Sequence, residues 1–232
     1  MNRVFSNAKI EGFRDRDSGA IFENLEFINC IFLGCDLSRT ERPEFRSIVR
    51  NVRMTNTEAR GCLINAAIVE DVLVEGLLAH NSAIHGAVFK HVTFAGRVGQ
   101  IKINHFILPS ITPVSIDVQN AFDKANQQYY STVDWALDIS NAEFKEADIR
   151  GVPARLIRRD PETQFVLTRK RALQGNWKDV DLSGTYWNTS IDFFLEEEEE
   201  DRVLVAPKRD RNFKRLIEAL KELQRAGVLE PD

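Results

Sequence analysis

The sequence predicts a mainly β protein wound as a coil, with short extended stretches alternating with tight turns, and three observations predict it. Every fifth residue from Val49 to Phe94 is apolar: Val49, Met54, Ala59, Ile64, Val69, Val74, Ala79, Ile84, Phe89 and Phe94. Two residues after each comes one of Asn51, Asn56, Gly61, Ala66, Asp71, Gly76, Asn81, Gly86, His91 and Gly96, a set dominated by residues at ease with positive φ. Two residues before each stands an uncharged, mostly small side chain, from Ser47, Val52 and Thr57 to Ala87 and Val92. With 43% of the chain hydrophobic, ten apolar positions in one frame arise by chance about twice in ten thousand trials.

A helix buries residues at intervals of 3.6 and a strand at intervals of 2, so an interval of five fits neither element extended indefinitely. It fits a short strand that sends two side chains inward, two residues apart, and then turns through a residue with positive φ, as a type II turn requires. The segments CLINA, AIVED, VLVEG, LLAHN, SAIHG, AVFKH and VTFAG, from Cys62 to Gly96, resemble the pentapeptide-repeat family. That resemblance implies a right-handed quadrilateral β-helix with four pentapeptides to each coil.

The same frame extends over Phe5, Ile10, Phe22, Phe27, Phe32 and Leu37. It continues loosely at Ile103 and Leu108, then at Ile139, Phe144 and Ile149, and finally at Trp177, Leu182 and Trp187. These anchors make about six coils, a solenoid rod roughly 30 Å long at the inter-strand spacing of about 4.8 Å. The frame slips between Leu37 and Val49 and between Phe94 and Ile103, where bulges or small loops are expected. A body over residues 1–190 is therefore expected, interrupted at 109–136 and 155–174 and followed by a tail at 191–232.

Over 109–136 the spacing of Val118, Ala121, Phe122, Ala125, Tyr129, Val133 and Ala136 is helical, with Ser115 or Asp117 as its cap. Such a helix packs along the side of a coil or covers an end; alternatively Tyr129, Tyr130 and Trp135 form a contact patch for a partner. The 155–174 interruption is a basic loop carrying Arg155, Arg158, Arg159, Arg169, Lys170 and Arg171. These cations either pair with Glu143, Glu146 and the acidic tail or dock on an acidic or phosphate-bearing partner.

The tail holds the unbroken acidic run Glu196–Asp201, of a kind usually solvated as a linker. After it, Asn212 is placed to cap a helix whose Phe213, Leu216, Ile217, Leu220 and Leu223 share one face and which ends near Gly227. A solenoid exposes core and strand edges at its ends, so this helix either caps the coil or joins two copies as a homodimer.

Net charge of -4 argues against direct nucleic-acid binding, for which a basic stripe is expected. No apolar run reaches the length of a membrane span and no signal peptide opens the chain, so a cytoplasmic protein is expected. Cys30, Cys35 and Cys62 fall on the small inward position, where free thiols act as small hydrophobes rather than metal ligands. His80, His85 and His91 fall on outward or corner positions of successive units and are not expected to converge on a metal.

No G-x-S-x-G, Walker loop, G-x-G-x-x-G, H-E-x-x-H or paired C-x2-C is present, so a non-enzymatic protein without cofactor or metal is expected. Two functions lead, beside a third class in which the chain is a structural module of a larger assembly with the C-terminal helix as its joint. One is a rigid binder of a protein partner, for instance an immunity or antitoxin-like protein that neutralises a toxic enzyme by occlusion. The other follows from the family resemblance, since some members are acidic mimics of double-stranded DNA that bind and modulate type II topoisomerases such as gyrase. That mimicry needs outward rows of acids, whereas Glu70, Glu75, Asp138 and Asp148 are scattered among Arg50, His80, His85 and Lys90.

Overall fold

In the computed structural model, which describes residues 3–108, 114–197 and 199–231, parallel strands stack in register to make a curled, solenoid-like sheet. The strands of the first two laps are β1 (Arg3–Ser6), β2 (Lys9–Glu11), β3 (Arg14–Arg16), β4 (Ile21–Ile28), β5 (Ile31–Leu33) and β6 (Asp36–Arg39). Two further laps carry β7 (Ile48–Thr55), β8 (Glu58–Arg60), β9 (Leu63–Asn65), β10 (Ile68–Glu75), β11 (Leu78–His80) and β12 (Ala83–His85). The long β13 (Val88–Asn104) leads to helix α1 (Ile116–Tyr130), and β14 (Leu137–Asp138), β15 (Ala142–Ile149) and β16 (Ile157–Arg158) close the winding. The chain ends with β17 (Gln164–Thr168), α2 (Arg169–Gln174), α3 (Trp187–Glu196), β18 (Asp201–Val205) and α4 (Phe213–Arg225).

Register shows why the five-residue period folds this way. Val49 pairs with Val69 and Val69 with Phe89, while Ala59 pairs with Ala79 and Ile64 with Ile84, so stacked residues lie four five-residue units apart. All ten residues expected to turn the chain have positive φ, including Ala66 at 48° and His91 at 55°, where an L side chain is unusual. Their amides continue the ladder, as when Asn56 N–H donates to Glu75 O and Gly61 N–H to His80 O. Val69, Val74, Phe89 and Phe94 are buried, and Ile64 and Ile84 pack against the same core.

The frame slips have physical causes. Phe22 pairs with Val49, and the extra residues of that lap form a loop with a 3-10 turn at Pro43–Phe45. At the second slip Ile84 pairs with Ile103, one residue short of the usual interval. Gly99 passes so close to the lap below that an added Cβ would lie 2.4 Å from Ala79 O, and this contact lets β13 run on without a turn there.

Helix α1 lies along the side of the coil, which is the packing reading of the first interruption. Ser115 Oγ accepts from Val118 N–H and starts it, Phe122 is fully buried, and Asn126 accepts from the buried Arg46. Arg46 also stacks 4.7 Å over Phe122, and burial lowers its pKa to about 10. Leu108 lies outside the strands, and residues 109–113 of the interruption fall outside the described residues.

The C-terminal part corrects several expectations. The frame suggested strands at Trp177, Leu182 and Trp187, but Trp177 opens a 3-10 turn and Trp187 opens α3. With no strand of a neighbouring lap to pair with, Trp187, Ile191 and Phe194 instead present a helical face to a second core that also holds Trp177 and Leu182. The last parallel pairing joins β14 to β16, so the coil ends well before residue 190. The segment expected to be a basic loop contains β16, β17 and α2, and β17 pairs antiparallel with β18.

This two-stranded sheet closes the end of the coil. Val203 and Val205 belong to the core of the coil, whereas Phe165, Leu167 and Leu204 belong to the second core beneath α2, α3 and α4. Helix α4 thus covers the sheet and not the coil directly. Leu216, Leu220 and Leu223 are buried within the chain, and Phe213 and Ile217 pack against the same core, so this face is not a free dimerisation surface. Asn212 makes no side-chain cap; Asp210 Oδ1 accepts from Asn212 N–H at 2.6 Å, and Gly227, at φ 75°, follows the helix.

Candidate functional site

A cleft of about 670 Å³ opens where the last lap of the coil meets its cap. One wall is the run Lys145–Ile149 of β15 with the following Arg150, and the other is formed by Tyr186 and the outer side of α3 with β18 and Pro207, Arg209, Asp210 and Arg211. The wall of β15 exists because this strand is the last in its row, pairing with β13 on one side only. The opposing wall exists because α3 buries Trp187, Ile191 and Phe194 and thereby turns Phe193 outward, 46% exposed, beside Tyr186, 41% exposed.

A chain of alternating charges ties the two walls together. Asp148 pairs with Arg150, Arg150 with Glu197, Glu197 with the buried Arg202, and Arg202 with Glu199. Burial raises the Glu199 pKa and neighbouring Glu197 adds to the rise, outweighing the pull of Arg202. The acidic run is therefore not a solvated linker at Glu197 and Glu199; Glu198 lies outside the described residues. Burial, with Asp210, Glu146 and Asp148 nearby, also raises the pKa of the Tyr186 hydroxyl and keeps it a neutral hydrogen-bonding group.

The remaining acids of the cleft are engaged, Glu146 by Lys102 and Gln100 and Asp210 at the start of α4. Lys145, Arg209 and Arg211 are exposed and make no ion pair among the described residues. Arg209 donates to Val98 O at 3.4 Å, and the cleft offers three cations without carboxylate partners and two exposed aromatic rings, one of them a neutral phenol, chemistry suited to holding an anionic and partly apolar surface.

The residues selected from sequence lie elsewhere. Tyr130 is buried in the core, and Tyr129 donates to Glu70 at 2.9 Å, so they attach α1 rather than forming a free patch. Trp135 is stacked between His91, at 4.7 Å, and Arg158, at 4.1 Å. His91 itself bridges Asp71 and Asp134.

Arg169 donates to Leu195 O, and Arg171 pairs with Glu230 and donates to Gly227 O, which holds α2 to the end of the chain. Arg159 donates to Gln164 O, while Arg155 and Lys170 stand exposed on different elements. The six cations do not act as one loop. Sequence reasoning missed Lys145, Tyr186, Phe193, Arg209 and Arg211; the helical spacing of Trp187, Ile191 and Phe194 was the available signal, since it turns Phe193 outward.

The cysteines are free, and Cys30 and Cys35 point their thiols at Phe5 O and Ile10 O of the preceding lap. Among the described residues, no helix is long and apolar enough to cross a membrane. No protein-family model matches this chain, and no curated protein matches it significantly.

Proposed function

We propose that this protein is a non-catalytic protein-binding solenoid that neutralises its partner by occlusion, as an immunity or antitoxin protein does. Its winding is read as a right-handed quadrilateral β-helix of the pentapeptide-repeat type, supported by the interval of four five-residue units between stacked residues and the positive φ at the ten turn residues from Asn51 to Gly96. The observation that carries the function is the pairing of exposed Tyr186 and Phe193 with Lys145, Arg209 and Arg211, cations that make no ion pair among the described residues, in one cleft. A filled coil loses little conformational freedom on docking, which favours tight association through such a small set of anchors. Three free thiols fit a reducing, cytoplasmic setting.

The outward row Glu23, Arg50, Glu70 and Lys90 stacks in register with alternating sign, and Arg50 bonds Glu23 at 2.6 Å. Such a row is locally neutral and supplies no surrogate for a phosphate backbone, so occlusion of a protein partner is preferred to DNA mimicry. The test is affinity capture from native cells with the wild-type chain and with the Tyr186→Ala/Phe193→Ala variant, followed by assay of the captured protein's activity. A partner held and inhibited by the wild type and released by the variant is expected. Equal recovery with both chains, or stoichiometric inhibition of gyrase supercoiling by the variant, would overturn the reading.

A further inference from the structure

The two ends of the winding are unlike. The β17–β18 sheet and its helices close one end, whereas the first lap finishes the other in strand edges. Strands β1, β2 and β3 each stand last in their row. Strand β1 reaches β4 only from Leu25 to Ile28, so Ile21–Glu23 is paired on one side only, with β7. Val4 is 53% exposed, Ile21 52% and Phe13 41%, and Phe5, Ile10 and Phe22 beside them are half-buried, so the apolar interior of the coil reaches the surface here.

The bonds to the second lap fix which way the edge groups point. Ala8 O accepts from Ile31 N–H and Gly12 N–H donates to Leu33 O, so by alternation Lys9 and Glu11 turn their main-chain groups away from that lap. Asn7 N–H donates to Ile28 O, which leaves Val4 and Ser6 facing away, and Ile48 N–H donates to Ala20 O, which leaves Ile21 and Glu23 so. Asp36 N–H donates to Phe13 O and Asp17 N–H to Arg39 O, which does the same for Arg14 and Arg16. A ligand that satisfies all these edges at once must carry matching edges in the same arrangement, and a second copy of the chain carries them.

A two-fold axis normal to the winding and through the middle of β2 lays β2 antiparallel on β2, β1 on β3, and Ile21–Glu23 on itself. Outward-facing residues then meet throughout, Lys9 with Glu11, Val4 with Arg16, Ser6 with Arg14 and Ile21 with Glu23, as paired main-chain bonds require. Charges match on the same axis. Lys9 and Glu11, more than half exposed and 2.7 Å apart within one chain, come opposite the second copy's Glu11 and Lys9 and close a ring of alternating sign. Arg3, stacked over Phe5 at 5.1 Å and in no ion pair among the described residues, comes over the corner of Asp15 and Asp17. Asp15 is buried on Ser18, Ser38 and Ser47, which are uncharged donors.

We propose that the protein forms an end-to-end dimer in which the first laps of two copies join strand to strand across this axis. The dimer rests on the reading of each lap as four short strands and is independent of what the cleft binds. The closed far end stops assembly at two copies and leaves the two clefts at opposite ends of one rod.

Sedimentation of the full chain over a dilution series, beside the single variants Lys9→Glu and Glu11→Lys, tests this. The wild type is dimeric at about 100 µM. Each variant sets like charges against each other in its own dimer and dissociates at least about tenfold more readily, while the equimolar mixture of the two matches acid with base and regains wild-type affinity. Arg60 stacks two laps in from Glu11, so a spin label at Arg60→Cys, with Cys30, Cys35 and Cys62 replaced by Ala, marks the β2 side of each copy. The two labels of a dimer then lie about 24 Å apart, five inter-strand steps. Dilution with unlabelled chain removes this distance and leaves only those within one chain.

A monomer at that concentration, or a dimer indifferent to both substitutions and to their mixture, would overturn the proposal. A label separation beyond about 40 Å would overturn it too, because it places the contact on another face. A monomer that keeps the Val4 to Thr93 spacing of stacked laps would overturn the dimer alone and leave the winding intact.

Discussion

At single positions, stability rests on how closely consecutive laps approach and on what is buried between them. Gly99 makes the tightest approach to the backbone of another lap, because a methyl group there meets the carbonyl of Ala79 and cannot be relieved by a rotamer change. Gly99→Ala is expected to cost about 1–3 kcal/mol, measured as a lowered urea midpoint at unchanged slope. Glu199 gives a pH signature of definite sign. Its folded pKa lies above the ordinary 4.5, so the unfolded chain releases this proton first and stability falls as pH rises from about 4.5 through the folded value. Urea titrations across that interval should show this loss in the wild type and a flatter profile in Glu199→Gln; identical slopes would contradict the assignment. The corner residues were legible in the sequence because Asn, Gly and Asp recur where φ must be positive, whereas the close pass of Gly99 looked only like a lost frame.

Among the elements, α1 and the β17–β18 pair show how interruptions are accommodated without breaking the winding. Helix α1 is anchored by Phe122, packed with Ala66 and Ile107 and covered by the guanidinium of Arg46. Phe122→Ala removes the centre of that contact and is expected to cost about 3–5 kcal/mol. Limited proteolysis should then cut within residues 116–130 before any strand, and cutting elsewhere first would mean that α1 is not held by this contact. The helical spacing and Ser115 made this element readable in advance. The β17–β18 pair was not readable, because its segments were classed by charge as a basic loop and an acidic linker. Charge records composition, while strand pairing here depends on Val166, Leu167, Val203 and Leu204 meeting across a long separation in sequence.

The whole molecule is a coil closed at one end by a sheet and a layer of helices, with its candidate binding cleft at the joint. The coil was legible because each lap repeats the same local instructions, so the sequence pattern and the stacking agree. The cap was hidden because Trp177, Leu182 and Trp187 happen to keep the five-residue spacing, and only the lack of a lap to pair with reveals that they bury in a separate core. The cleft was hidden for a related reason: its residues run from Lys145 to Arg211 and converge only once the cap is folded against β15.

The central claim, that residues from successive laps stack in parallel register, is tested most directly by one distance. Val4, Glu26, Arg53, Leu73 and Thr93 form a single outward column, each paired with the next. Spin labels at Val4→Cys and Thr93→Cys, in a chain with Cys30, Cys35 and Cys62 replaced by Ala, should give a narrow pulsed electron paramagnetic resonance distribution centred near 19 Å, four inter-strand steps. A broad distribution, or a separation beyond about 30 Å, would contradict the stacked winding on which the cap and the cleft both depend.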